Sequence, residues 1–278
     1  MKISDNRIGY PNASAVGYKH DLGQHFLYDV NLLARLVKKT GLSNRDTVLE
    51  IGPGMGSLTR VLCETALKVI AVEVDQALIP ALQRLSAELP NLQLIHQDIR
   101  KLDLQSIPLG ENFWVVANIP YNITSQIFDL FWGTGLPVRT MCVMVQKEVA
   151  DKLTATPGDP AFGLMSVRCR YYCEPAILAQ VPASSFTPPP KVDSAFVKLV
   201  FRPLQAAFSV DEAMLWRLTK AGYAMRRKTL VNALKAVLPV SADKIREALA
   251  GLGLQPTVRG EELSIEQWIH LTRWFSKG

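Results

Sequence analysis

The chain has no run approaching the roughly 18 consecutive apolar residues that a membrane-spanning helix requires. Its first twelve residues, MKISDNRIGYPN, hold no apolar stretch of the kind that opens a secretion signal. A cytoplasmic location is therefore expected. Cysteine is scarce: Cys63, Cys142, Cys169 and Cys173 are scattered, and the one close pair, in CRYYC, has no second ligand pair and no histidine beside it. This argues against a zinc site and leaves reduced core thiols. Four histidines, His20, His25, His96 and His270, fall at neither metal-ligand nor triad spacing. No GxSxG turn is present, so a hydrolase built on an activated serine has no support. Internal repeats and low-complexity tracts are absent, and only TPPPK at 187–191 is dense in proline.

What is present describes a globular enzyme-sized chain. Its 278 residues, 48% apolar and 20% charged, suffice for one large domain and one smaller one. From residue 47 onward, β-rich runs (TVLEIG, VIAVEVD, LQLIHQDI, FWVVAN, TMCVMVQ) alternate with helical patterns such as SLTRVLCETA and QALIPALQRLSAEL. Such alternation predicts an α/β fold, a mostly parallel sheet with helices on both faces. SVRCRYYC and SAFVKLVF read as further strands, ending before Arg202-Pro203. A helix is expected over residues 211–237, then SADKIREALAGLG with Ser241 as N-cap, then SIEQWIHLTRWF. These make a small all-helical C-terminal domain, 203–278, after a first domain of 1–202 whose residues 1–21 are polar and expected to be a mobile arm. The formal charge of +6 is uneven, with +5 in residues 201–278 and +1 in residues 1–200. That asymmetry fits a polyanionic partner held partly by the C-terminal region.

The first strand runs into Glu50-Ile51-Gly52-Pro53-Gly54-Met55-Gly56, a glycine-rich turn through which a ligand can approach the backbone. A dinucleotide fingerprint would place its third glycine five positions after Gly52, where Ser57 stands, so NAD is the weaker reading. Glu73 closes the second strand, where a carboxylate can hold both hydroxyls of a ribose. Asp98 follows the third, where it can accept a hydrogen bond from an adenine amino group. A glycine loop with Glu and Asp at the ends of consecutive strands resembles the S-adenosylmethionine site of the class I methyltransferases. That cofactor carries its methyl on a sulfonium, so the protein need only align a nucleophile and exclude water.

The fourth strand ends in Asn118-Ile119-Pro120-Tyr121, at the edge where open α/β sheets bind ligands. An adenine exocyclic amine is a poor nucleophile because its lone pair is delocalised into the ring. If the Asn118 side-chain carbonyl and the Ile119 or Pro120 backbone carbonyl accept its two N–H bonds, the lone pair is directed at the methyl. Tyr121 then offers a face to the extruded base. No general base is needed before attack, because the amine becomes acidic only once methylated.

LGQHFL at 22–27, EIGPGMGSLT at 50–59, NIPYNIT, FTPPPKVDSAF at 186–196, RRKTLVNAL at 226–234 and RGEELSIEQW at 259–268 together resemble the ribosomal RNA adenine dimethylases, and most closely the bacterial branch acting on small-subunit (16S) RNA. The resemblance covers nearly the whole chain in order. It implies cofactor contacts at His25, Leu27, Gly52, Gly54, Glu73, Asp98 and Asn118. It also implies an acceptor site of Asn118, Pro120 and Tyr121, with Phe186 a second aromatic against the base. Two departures stand out: many members carry Asn where this chain has His25, and Leu where it has Ile119. The implied reaction puts two methyl groups on each of two adjacent adenosines near the 3′ end of small-subunit RNA, in a late pre-30S assembly particle, and the enzyme is expected to be a monomer. The rivals are a large-subunit RNA methyltransferase conferring macrolide resistance and an assembly factor acting mainly by binding.

If residues 211–237 form one helix, Arg217, Lys220, Arg227, Lys228 and Lys235 fall within an arc of roughly 100°. Leu215, Leu218, Met225 and Ala233 then face the other way. Such a basic stripe suits phosphate contacts that position RNA without reading it, and Lys191 is expected to flank the target pocket.

Overall fold

The computed structural model describes residues 25–203, 210–225 and 227–276. The expected arm at 1–21 and Arg226 lie outside the described residues. The strands are β1 (Phe26–Leu27), β2 (Thr47–Ile51), β3 (Lys68–Glu73), β4 (Leu92–His96), β5 (Phe113–Asn118), β6 (Val138–Gln146), β7 (Cys173–Val181), β8 (Phe186–Thr187) and β9 (Ser194–Phe201). The helices are α1 (Val30–Thr40), α2 (Ser57–Thr65), α3 (Ile79–Glu88), α4 (Thr124–Asp129), α5 (Lys147–Thr154), α6 (Leu164–Tyr172), α7 (Glu212–Ala224), α8 (Leu230–Lys235), α9 (Ala242–Ala250) and α10 (Ile265–Ser276). The chain divides into two compact units, Met1–Ala150 with Ala176–Val200, and Asp151–Pro175 with Phe201–Gly278. This division differs from a single cut after residue 202 by assigning 151–175 to the second unit.

In the first unit seven strands run in the order β4-β3-β2-β5-β6-β9-β7. β2 pairs in parallel with β3 on one side and β5 on the other, β3 with β4 and β5 with β6, while β9 joins antiparallel to β6. Parallel strands covered on both faces need apolar side chains on both faces. Val48 and Leu49, Val69 to Val72, and Phe113 to Ala117 are accordingly all buried. The chain leaves β2 toward β3 and returns to β2's other side as β5, which opens a crevice beyond their carboxyl ends. β1 and β8 form a separate antiparallel pair, Phe26 opposite Thr187 and Leu27 opposite Phe186, joining the LGQHFL and FTPPP segments.

The second unit is helical apart from strand ends. Its core gathers Leu215, Leu218, Leu230, Leu234, Ile245, Leu249, Leu263 and Trp268, all fully buried. Gly222 is required there, since a Cβ would lie 2.7 Å from the Trp268 ring. Ser241 caps α9 as expected, accepting from the Lys244 N–H at 3.2 Å.

Two expectations fail for tertiary reasons, and one strand had no sequence signal. SVRCRYYC is not a strand but most of α6. Val167, Cys169 and Tyr171 alternate as in a strand, yet Ser166 and Tyr172 are buried too. Ser166 Oγ accepts from Gly163 N–H at the helix start and donates to Lys152 O, and Arg170 donates to Thr154 and Ala155 carbonyls. β7 was not anticipated: it is the edge strand, holds Pro175 and lacks regular alternation. Residues 211–237 are not one helix. α7 ends at Ala224, Leu230 N–H bonds to Val258 O at 2.8 Å instead of continuing the ladder, and Thr229 starts α8 by accepting from Asn232 N–H. The single-arc stripe therefore does not exist, and Met225, placed on its apolar side, is 42% exposed.

Candidate active site

A cleft of about 260 Å³ opens where β2, β3 and β5 end. Its walls bring together His25, Leu27, Gly52, Gly54, Glu73, Asp98, Asn118, Pro120 and Tyr121, with Glu50 and Arg100 among the other lining residues. Phe186 and Lys191 do not line it: Phe186 is 3% exposed and packed in the core, and Lys191 is exposed.

The glycine loop is built by backbone conformation. Gly52, Gly54 and Gly56 have φ of 66°, 59° and 83°, where L-residues with a Cβ are strained. A Cβ on Gly54 would lie 2.8 Å from the Phe26 ring, and one on Gly56 would lie 2.5 Å from Leu85 Cδ2. Gly52 faces open space. The loop also reaches across to Glu73, whose Oε2 accepts from Gly54 N–H at 3.2 Å while Oε1 accepts from Val74 and Asp75 N–H at 2.8 Å each. Three main-chain donors hold this nearly buried carboxylate in one orientation at the rim. Burial raises its pKa, and those hydrogen bonds oppose the rise.

Asp98 follows β4 and caps a short 3₁₀ turn, accepting from Arg100 N–H at 3.0 Å. Arg100 folds back on the same carboxylate, Nη2 to Oδ2 at 2.7 Å and Nε to Oδ1 at 2.9 Å, and holds its pKa down. Nη1 also donates to Gln126 Oε1 on α4.

At the end of β5, Asn118 Nδ2 donates to His25 O at 2.8 Å. Turning the amide over would set oxygen against oxygen, so Oδ1 faces away from that contact, and it accepts nothing from the described residues. Pro120 (φ −56°, ψ 130°) turns the chain into the Tyr121–Ile123 3₁₀ turn. Its carbonyl accepts from Ile123 N–H at 3.1 Å and from the Thr124 hydroxyl at 3.4 Å. The Ile119 carbonyl accepts from no described residue. The Tyr121 hydroxyl lies 2.5 Å from Ser194 Oγ, and burial raises its pKa. Its ring stacks on His25, centroids 5.4 Å apart and planes 27° apart.

Glu50, at the start of the glycine turn, carries no role in the sequence pattern. The carboxyl is buried at the cleft with no hydrogen-bond partner among described residues, and burial pushes its pKa up to about 8, the nearby Glu73 charge adding to the rise. The signal was an acid in the interior of a strand that is otherwise apolar. Arg100 and Ser194 had no signal short of the fold. Among the described residues no cluster of three or more His, Cys, Asp or Glu is placed to hold a metal, and no helix is long and apolar enough to cross a membrane.

The five basic residues expected to form one stripe are all exposed, but on separate pieces: Arg217 and Lys220 on α7, Arg227 and Lys228 in the turn, Lys235 at the end of α8. Arg217 is already engaged, donating to Val237 O just past α8.

The family model for ribosomal RNA adenine dimethylase matches residues 17–277. The chain is 39% identical over 261 residues to ribosomal RNA small subunit methyltransferase A of Alkaliphilus metalliredigens, covering 92% of this chain and 91% of that one. A protein of the same name from Dehalococcoides mccartyi is 44% identical over 249 residues, 89% of this chain and 84% of the other. Among solved structures, a dimethyladenosine transferase from Plasmodium falciparum superposes with TM-score 0.78 at 27% identity, over 91% of this chain and 98% of that one. The 23S rRNA methyltransferase ErmE gives TM-score 0.71 at 28% identity, over 90% and 99%.

Proposed function

The chain belongs to the ribosomal RNA adenine dimethylase family, and from that premise we propose that it dimethylates N6 of two adjacent adenosines near the 3′ end of small-subunit (16S) rRNA, within a pre-30S particle in the cytoplasm. It is an S-adenosylmethionine-dependent rRNA adenine dimethyltransferase. The small-subunit assignment rests on relatives of that name at 39–44% identity, against 28% for ErmE.

The cleft fits this cofactor: Gly52 faces open space at the cleft wall that a Cβ would enter, and Glu73 is oriented by three N–H groups as a ribose ligand should be. Glu73 would hold the ribose, Asp98 the adenine amino group, and the Gly52–Gly54 loop with the His25 and Leu27 main chain the remainder. When bound, S-adenosylmethionine supplies a methyl group as the electrophile. The chain's own work falls on the acceptor. Asn118 Oδ1 accepts one N–H of the target amine and the Ile119 carbonyl the other, since the Pro120 carbonyl is already engaged. Both bonds draw lone-pair density out of conjugation and aim it across the cleft. Pro120 fixes the turn that presents Ile119, and Tyr121 supplies the stacking face. Phe186 serves as a second aromatic only after its side chain turns out of the core. Lys191, Lys220, Arg227, Lys228 and Lys235 contact phosphates as separate sites on the surface, with Arg217, already bonded to Val237 O, contributing least, and the enzyme acts as a monomer.

The observation that carries this reading is the Asn118 amide, held by its nitrogen with its oxygen left free beside the cofactor cleft. The test is mass mapping of methylated adenosines after incubation with unmodified small subunits and, separately, large-subunit RNA, with tritiated cofactor. Dimethylation of two neighbouring adenosines near the small-subunit 3′ end supports it. Methylation confined to large-subunit RNA refutes it.

A further inference from the structure

We propose that the His25 side chain is a positioning residue of the acceptor site, a brace behind Tyr121, and that only the main chain of His25 serves the cofactor side. The inference rests on the acceptor reading of Asn118 and Tyr121 given above.

Three segments distant in sequence meet at this residue. Its Nδ1 lies 2.7 Å from Pro188 O, and because a carbonyl only accepts, Nδ1 carries the proton. Its carbonyl accepts the Asn118 amide. Its ring stacks on Tyr121. The β1–β8 pairing, with Phe26 opposite Thr187, brings His25 against Pro188 and so sets where the ring stands. The imidazole is thus clamped at one nitrogen while its face supports the aromatic that the target base must stack on.

Tyr121 is consequently held at two points, its hydroxyl by Ser194 and one ring face by His25. The opposite face is left for the base, which makes a layered arrangement of imidazole, phenol and adenine. Without the imidazole, Tyr121 keeps its hydroxyl bond but is free to rock about it, and the amine loses its fixed approach past Asn118. A misplacement of about 1 Å in such a reaction costs up to about 100-fold in rate. The imidazole bonds to neither Glu73 nor Asp98, the groups that would hold the cofactor, and both are satisfied by other donors.

The test compares His25→Ala, His25→Phe, which keeps a ring without the donor, and His25→Asn, which keeps a donor without the ring. Each is measured for single-turnover methylation of unmodified small subunits at saturating cofactor, and for S-adenosylmethionine affinity by calorimetry. Expected is a rate loss of about 10- to 100-fold in His25→Ala and His25→Asn, largely restored in His25→Phe, with cofactor affinity within about twofold of wild type throughout. A tenfold or greater loss of cofactor affinity with an unchanged saturated rate overturns the proposal, as does equal impairment of the Phe and Ala variants. If His25→Ala does not fold, the Phe and Asn variants alone decide between these outcomes. Asn118→Ala runs alongside: full activity there sinks the acceptor reading itself, whereas an inactive Asn118→Ala beside fully active His25 variants sinks only the brace.

Discussion

The carboxyl edge of the sheet and the helical second unit were both read from short motifs, and they behave differently in three dimensions. At the sheet edge each motif carries a conformational demand of its own. Gly52, Gly54 and Gly56 sit at positive φ, Glu73 collects N–H groups from its own turn and the glycine loop, and Asn118 closes a buried strand. In the second unit the stripe made no local demand. It was a projection that required an unbroken helix, and the Leu230–Val258 bond breaks that helix. A motif survives folding when its residues determine their own backbone, and a face drawn on a helical wheel survives only if the helix does.

The largest expected contrast is at Asn118. Asn118→Ala should lower methyl transfer about 10²- to 10³-fold, as loss of a single oriented polar group at a reacting centre does. Scintillation counting of transferred label measures this. Only one part-buried hydrogen bond is lost, so calorimetry should register about 1 kcal/mol of stability. A variant that unfolds instead of losing rate would erase the distinction between the two regions.

The glycine loop comes next. Gly56→Ala combines a left-handed φ with a Cβ 2.5 Å from Leu85, and should cost about 1–3 kcal/mol in denaturant unfolding. Gly52→Ala meets nothing within 4 Å, so its cost should be confined to backbone strain of about 1 kcal/mol, with reduced cofactor affinity because the methyl enters the cleft.

Glu50 gives a pH signature. Folding holds its proton up to about pH 8 against an ordinary value of 4.5, so the folded state binds more protons than the unfolded state between those limits. Its favourable contribution is complete below about 4.5 and declines as pH rises toward 8. Wild-type stability should fall across that window relative to Glu50→Gln, whose profile should be flatter when unfolding is followed at several pH values.

The smallest effects belong to the second unit. Neutralising Lys220, Arg227 and Lys228 together should weaken RNA binding and reduce its log–log salt slope by up to about 2–3, with cofactor affinity unchanged. Arg217, which ties α7 to the chain after α8, should affect stability more than salt slope. An unaltered slope in the triple variant would show that the excess charge of this region does not engage phosphate.

The parallel sheet, the glycine loop, the strand-end acids and the NIPY turn were legible because each is written in contiguous residues whose types restrict φ, ψ or burial. α6 was not legible, since its strand-like alternation is overruled by bonds from Ser166 and Arg170 to α5 and the residue after it. Phe186 was legible as a motif residue, but its burial depends on packing in the core around Leu27 and β9.

By itself the sequence determined which chemical groups stand at the ends of the strands and in what order, because alternating apolar runs commit the chain to that sheet and glycine commits its loops. Only the tertiary structure decided which way the Asn118 amide points, which carbonyl clamps the His25 ring and where the basic helix breaks. Those depend on partners 93, 163 and 28 residues away in the chain, and no local conformational preference reaches so far.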